Sequence, residues 1–309
     1  MRDGSLVIKN KKLKKDRTML KLGILVLLAF GVVFVAVFGQ WFTPHDPYVQ
    51  DLKQTLAAPS GEHLLGCDKF GRDLLSRVIT GTQTTIFSAF ALVAGITLLG
   101  TIVGVIAAYA GGWVDTVLMR ISDIFLAFPE MVFAIAVAGV MPGGIWAAVI
   151  AVGLIAWPRY ARIARSQVLA MKNNTYISAA KLSGCRWYQM IFKHILPNIL
   201  GPIVVTAALD IGAMIMNLAG LSFLGLGAKP PVAEWGSMMS ESRSSLQTAP
   251  WVILAPGIAI FITVLIFNLL GDTIRDILDP KQKRRSIKEG FDKMRKLVKR
   301  DKIIKENVA

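Results

Sequence analysis

The sequence predicts an all-α membrane protein with six transmembrane helices. Three observations predict it. Apolar residues make up 54% of the 309 residues and charged residues only 18%, a balance too greasy for a soluble domain of this size. The apolar residues fall in blocks of about 20, the length of helix that crosses a bilayer. The formal net charge is +15, and Lys and Arg gather in the N-terminal tail, in one internal loop and in the C-terminal tail. That is the distribution the positive-inside rule expects of cytosolic segments. Anionic lipid headgroups are the counterpart, not nucleic acid. Both termini then lie in the cytosol, which requires an even number of spans. Strand-type alternation is absent, and a helix satisfies its own backbone polar groups in lipid.

In chain order, 1–21 is a basic tail with Lys11, Lys12, Lys14 and Lys15 close together. The first span, 22–42, is longer than a signal-peptide core and has no cleavage pattern after it, so it is read as a retained anchor. The polar stretch 43–82 is placed outside. Within it, 63–78 reads as an amphipathic external helix, with Leu74, Leu75 and Val78 towards the membrane and Arg72, Asp73 and Arg77 towards water. The core of the protein, 83–280, holds five further spans. The second, 84–109, is rich in small residues that let helices approach closely. After Gly111 and Gly112 the third runs over 116–140, with Arg120 and Asp123 able to pair at its cytosolic end. A turn at Met141-Pro142-Gly143-Gly144 leads to the fourth, 145–163. It ends in Arg159, Arg162 and Arg165 on roughly one face, read as snorkelling cations ahead of a partner contact. A cytosolic loop, 166–198, precedes the fifth span, 199–225. Pro230 and Pro231 hold an extended external segment, and the sixth span is 251–271. In the basic tail 281–309, Ile287, Phe291, Met294 and Val298 recur at helical spacing. A surface-bound helix and a solvated tail fit it equally.

The loop carries the most informative stretch, YISAAKLSGCRWYQMIFKHILP at 176–197. It has no Asp or Glu. A first short helix runs through Ala179 and Ala180 and stops near Gly184, a usual C-cap residue. A second runs from Trp187 to Leu196, where Pro197 blocks continuation. The spacing of Ala179-Ala180, Gly184 and Ile195-Leu196-Pro197 resembles the EAA loop of bacterial ATP-binding-cassette (ABC) importer permeases. Three other stretches agree in order: HLLGCDKFGRDLLSR at 63–77, LSFLGLGAKPPVAEWG at 221–236 and GDTIRDILDP at 271–280. They are similar to signatures of the peptide/nickel branch, C-type subunit, with Cys67 where Thr is usual and Ile274 where Leu is.

The resemblance implies the type I ABC importer permease architecture with a cytosolic coupling helix. Ser178, Ala179, Ala180, Gly184, Ile195, Leu196 and Pro197 would then couple the spans to the ATPase. Ser178 stands where the family often has Glu, so docking would rest on shape and the surrounding cations. The implied partners are a homologous permease in a heterodimer, two ATPase subunits that bind ATP and Mg, an extracytoplasmic substrate-binding protein, and the lipid of a bacterial inner or plasma membrane. The implied mechanism is alternating access driven by ATP in those partners.

No cofactor is expected on this chain. It has no Walker A sequence, and the glycines of 220–229 have the wrong spacing. Cys67 and Cys185 fall on opposite sides of the membrane in this topology. With His45, His63 and His194 they make no zinc-type pattern, so no metal site is expected. No catalytic constellation falls in the spans. Glu130 and Asp210 are the carboxylates expected within the membrane, where such groups face a water-filled path or a neighbouring helix. Asn217 joins them as a candidate for the path. An ion-coupled secondary transporter using these carboxylates is the alternative class. As cargo, the sequence around Asp210-Ile211-Gly212-Ala213-Met214 and Ala249-Pro250-Trp251 resembles nickel-type members. Free nickel would want imidazole or thiolate ligands. A nickel chelate suits an acidic, mostly apolar path better, and di- or oligopeptides stand beside it.

Overall fold

A computed structural model describes residues 2–278, with side chains for 18–277. The 281–309 tail, the end of the GDTIRDILDP stretch and the side chains of the lysines at 11–15 lie outside the described residues. Among those residues the elements are α1 (Arg2–Phe38), α2 (Leu74–Ala110), α3 (Gly112–Leu126), α4 (Glu130–Val140), α5 (Ile145–Lys172), α6 (Thr175–Leu182), α7 (Trp187–Gln189), a π turn (Met190–Ile195), α8 (Leu196–Phe223), α9 (Trp235–Glu241) and α10 (Trp251–Leu278). Five stretches are long and apolar enough to cross a bilayer: Thr18–Trp41, Leu74–Ala110, Ile145–Lys172, Trp187–Phe223 and Trp251–Ile277. Taken together, α3 and α4 make a sixth, bent by 88°.

Helix α2 is the axis of the bundle. It starts where the Asp73 carboxylate accepts the Ser76 N–H at 2.8 Å, a normal N-cap. It stops at Gly111, whose φ of 67° suits a residue without a Cβ. Its 37 residues measure about 55 Å at 1.5 Å per residue, far more than the hydrocarbon needs. Helix α5 lies along it at unusually short range. A Cβ on Gly100 would meet the Trp157 carbonyl oxygen at 2.6 Å, and one on Gly104 would overlap the Ala161 carbonyl. Ala107, Ala108, Ala161 and Ala164 are buried beside them. The pair α8 and α10 uses the same device at Gly212 against Asn268 and Gly271 against Leu209.

Three expectations about helices change, and with the first of them the reading of Pro230 and Pro231. The helix expected over 63–78 is not a separate element. Residues from Leu74 onward are the first turns of α2, and the segment before it is folded against the bundle. Arg72 and Arg77 are only 1% exposed, and Asp73 is buried with them. The reason is pairing. Arg72 Nε donates to Asp68 Oδ2 at 2.6 Å and its Nη2 to Glu241 Oε2 at 2.8 Å. Arg77 Nε lies 3.4 Å from the same Asp68 oxygen. The stretches 63–77 and 221–236 thus meet in one cap: Arg77 Nη1 donates to the Pro231 carbonyl at 3.4 Å, and next to it Trp235 Nε1 donates to the Val78 carbonyl at 2.9 Å. Glu234 caps α9 through the Gly236 and Ser237 N–H groups. Burial pushes the Glu234 carboxyl above its ordinary range, against those two hydrogen bonds. Burial raises Cys67 too, to about 11, with Asp73 and Asp68 adding to it. Pro230 and Pro231 join through a cis peptide bond instead of continuing extended.

The second change is the span expected over 116–140. Phe128 precedes Pro129, which disfavours helix at Phe128 and offers no N–H. Pro129 instead becomes the N-cap of α4 with ψ of 122°. The third is Pro197, which does not end its helix. Pro197 follows the π turn directly within one continuous helical stretch, Trp187–Phe223, and the widened turn takes up the missing N–H.

The α2–α5 contact gives a direct check. Gly104→Val forces a side chain into the Ala161 backbone and lowers stability by about 1–3 kcal/mol or more. Gly95→Val, at a position with nothing within 4 Å, leaves it within about 0.5 kcal/mol. Thermal melting of the purified protein in detergent distinguishes the two.

Candidate functional site: a mixed-charge cavity and a basic loop

The break between α3 and α4 opens onto a cavity of about 230 Å³ between α2, α5 and α8. Irregular backbone at membrane depth is tolerated where it lines such a space. Phe125, Leu126, Phe128 and Glu130 come from the break, and Arg159, Tyr160, Asp210 and Met214 from the facing helices. Phe125 holds the corner, edge-on to Trp157 at 5.8 Å and to Phe133 at 5.9 Å between centroids. Pro158, inside α5, frees the chain from one helical hydrogen bond directly before Arg159.

Asp210 is 5% exposed. It accepts the Tyr160 hydroxyl at 2.9 Å and lies 3.2 Å from Arg159 Nη1. The surroundings of Asp210, expected to be acidic, are therefore of mixed charge. Glu130 sits in the first turn of α4, where the helix dipole favours a carboxylate. It accepts from Asn217 Nδ2 at 2.9 Å. Asp210 and Glu130 line the cavity itself, and Asn217 reaches it through Glu130.

The three arginines of α5 do more than snorkel. Arg159 meets α8, Arg162 pairs with Asp123 of α3, and Arg165 holds Asp115 of α3 through two bonds of 2.6 and 2.7 Å. Asp123 thus looks to α5, not to Arg120 three residues before it. These pairings escape sequence reading because the partners lie 39 to 51 residues apart in the chain.

At one end of the bundle lies the basic loop. Helix α6 is anchored by buried Ile177, while Ser178 and Ala179 face outward and Ala180 is half-buried. Leu182 is 90% exposed. Gly184 turns the chain with φ of 78°. The Gly184 N–H reaches the Lys181 carbonyl and the Cys185 N–H the Ala180 carbonyl. Ile195 is buried in the core, Leu196 packs against it and Pro197 is exposed. A small hydrogen-bonded knot ties α6 to the entry of α8. Tyr176 Oη and Asn198 Nδ2 both donate to the His194 carbonyl, at 2.8 and 2.7 Å. Trp187 and Phe192 stand exposed beside it.

At the opposite, capped end the fold brings together residues that sequence spacing kept apart. His45 and His63 converge on Asp73. The expectation of no metal-type cluster rests on spacing along the chain, and these residues are gathered only by folding.

Residues 100–284 match the family described as "Binding-protein-dependent transport system inner membrane component". Over 273 residues the chain is 40% identical to the dipeptide transport system permease protein DppC of Alkalihalophilus pseudofirmus, covering 88% of this chain and 89% of that one. It is 42% identical over 263 residues to the glutathione transport system permease protein GsiD of Pectobacterium atrosepticum, covering 84% and 86%. It is 38% identical over 265 residues to the nickel transport system permease protein NikC of Escherichia coli, covering 86% and 95%. Among solved structures, an inward-facing conformation of the MetNI methionine ABC transporter shares the fold. The TM-score is 0.55 at 18% identity, over 67% of this chain and 98% of that one.

Glu130 lines the cavity and is exposed, whereas Ile215 on α8 is fully buried and lies outside the lining. In a Cys185→Ser background, Glu130→Cys reacts with a water-soluble maleimide at least about tenfold faster than Ile215→Cys, since thiol reaction follows access. Equal rates would mean that Glu130 does not face a hydrated space.

Proposed function

The chain belongs to the family of inner-membrane components of binding-protein-dependent transport systems, and on that premise we propose that it forms half of the path of an ATP-driven importer for peptide-sized, zwitterionic cargo. The family's transport runs on ATP hydrolysed by partner subunits and takes its cargo from a binding protein. The chain is therefore a transport subunit and not an enzyme, and the ion-coupled alternative falls. In our reading it pairs with a homologous permease in a bacterial inner or plasma membrane, with both termini and the 176–197 loop in the cytosol. Two ATPase subunits, carrying ATP and Mg, bind below, and the binding protein docks at the capped end.

Helix α6 is the coupling element of this reading. The observation that supports it is a short helix with an outward surface of Ser178, Ala179 and Leu182, tied by the His194 carbonyl to the start of α8. A displacement of α6 by an ATPase reaches α8, and with it Asp210, without crossing a flexible linker. Two positions of such an element suffice for alternating access.

The cargo reading rests on the pairing of Asp210 with Arg159. A path with cationic and anionic groups side by side can offer one to each end of a zwitterion. Among the described residues the cavity lining contains no His or Cys, the donors a bare nickel ion would favour. A nickel chelate stays as the second reading, supported by the 38% identity to a nickel permease. Uptake in a strain lacking only this gene decides between them. Resistance to a toxic dipeptide with unchanged entry of radiolabelled nickel, with or without a small chelator, supports the peptide reading. The reverse pattern supports the chelate.

Two substitutions test the parts separately. Asp210→Asn leaves Arg159 facing a neutral side chain, and uptake falls about tenfold, the effect of ~1.4 kcal/mol, while the protein level stays normal. Unchanged uptake at that level removes Asp210 from the path. Ala179→Trp, on the outward face of α6, keeps the permease folded and abolishes co-purification of the ATPase subunits. Retained co-purification and uptake would move the coupling surface elsewhere.

A further inference from the structure

We propose that His45, His63 and Asp73 form a binding site for a divalent transition-metal ion of the zinc–nickel class. The three side chains come from three separate segments: the turn after α1, the loop before α2, and the N-cap of α2 itself. One ligand atom from each lies within 4.8 Å of the others. His63 Nδ1 is 2.9 Å from Asp73 Oδ1 and His45 Nδ1 is 3.8 Å from the same oxygen. A tetrahedral ion with bonds of about 2.1 Å holds its ligand atoms about 3.4 Å apart, between those two separations. Small rotations of the imidazoles reach that geometry.

The surroundings hold the donors in place. The other oxygen of Asp73 is engaged by the Ser76 N–H, which leaves Oδ1 directed at the two rings. The Ser76 hydroxyl accepts the His45 N–H at 3.1 Å, and the Ser60 hydroxyl accepts that of His63 at 3.1 Å, so both backbones are fixed. The rings stand 4.8 Å apart between centroids. His45 Nδ1 is buried and has no hydrogen-bond partner. A buried nitrogen of this kind costs free energy unless something meets it, and a metal ion does. The His45 side chain is 38% exposed, so an ion can enter from solvent.

The donor set selects the ion. Two imidazole nitrogens and one carboxylate suit zinc, nickel or copper, whereas calcium and magnesium seek oxygen cages. An ion on His63 Nδ1 takes the place of the hydrogen bond to Asp73, and the neutral ring then carries its one proton on Nε2. A fourth position remains for water. The ion would fasten the segment after α1 to the head of α2 at the capped end, far from the cavity, and the site does not depend on which cargo the protein carries.

The experiment uses the full-length protein, purified without a polyhistidine tag, in detergent and stripped with a chelator. It is titrated by calorimetry with zinc chloride, nickel chloride and, as control, magnesium chloride. The expected result is one zinc or nickel per chain and a rise of several degrees in melting temperature, with no response to magnesium. His45→Ala, which removes no hydrogen bond made by the ring, weakens zinc binding at least about tenfold and abolishes the thermal shift. Zinc uptake by the wild type no greater than by His45→Ala, or a thermal shift that survives in His45→Ala, overturns the site.

Discussion

The structure depends on two backbones lying almost in contact. In lipid, apolar surface gains nothing by turning from tails to another helix, so packing has to come from close approach. Gly100 and Gly104 bring α2 against the Trp157 and Ala161 carbonyls of α5. That approach places Tyr160 and Arg159 beside Asp210 and aligns Arg162 and Arg165 with the carboxylates of α3. Without it the charged groups of α5 would have no partners at membrane depth. The cavity lies where the α3–α4 break leaves room beside α2, α5 and α8.

Charge is handled differently at the two ends and in the middle. At the capped end Arg72 and Arg77 are buried and share Asp68, with Glu241 completing the set. A buried arrangement like this is weak evidence for stability on its own, because desolvation offsets attraction, but removing one member leaves an uncompensated charge. It locks the 63–77 stretch to α9. In the cavity Asp210 is compensated by an arginine that is itself half in solvent. At the basic end the cations are exposed around α6, beside exposed Trp187 and Phe192.

Much of this was legible in the sequence. Apolar blocks and the charge distribution are enough for a helical membrane protein, and the stretches at 63–77, 176–197 and 221–236 are enough for the family. The α6 helix and its Gly184 terminus follow from local residue types. What escaped reading is long-range. Arg72 and Arg77 look solvent-facing because their spacing is amphipathic, and only the return of Glu241 from 169 residues away makes them interior. Pro129 and Pro197 are alike on paper. One breaks a helix by a right-angle turn, and the other is absorbed because a π turn precedes it. His45 lies 18 and 28 positions before His63 and Asp73, with no pattern to connect them.

The uninterrupted length of α2 has an evolutionary consequence. Arg77, Gly81 and Thr85 read one partner, the cap, through Pro231, Trp235 and Glu234. Gly100 and Gly104 read another, α5, about four to seven turns further on. Each inserted or deleted residue between them would swing one set about 100° away from its partner. On this geometry a change of length in α2 costs one set of contacts, whereas the connections (the stretch after α1, the turn before α5 and the segments flanking α9) absorb it without that cost. The single helix acts as a ruler that fixes the reading frame of the fold.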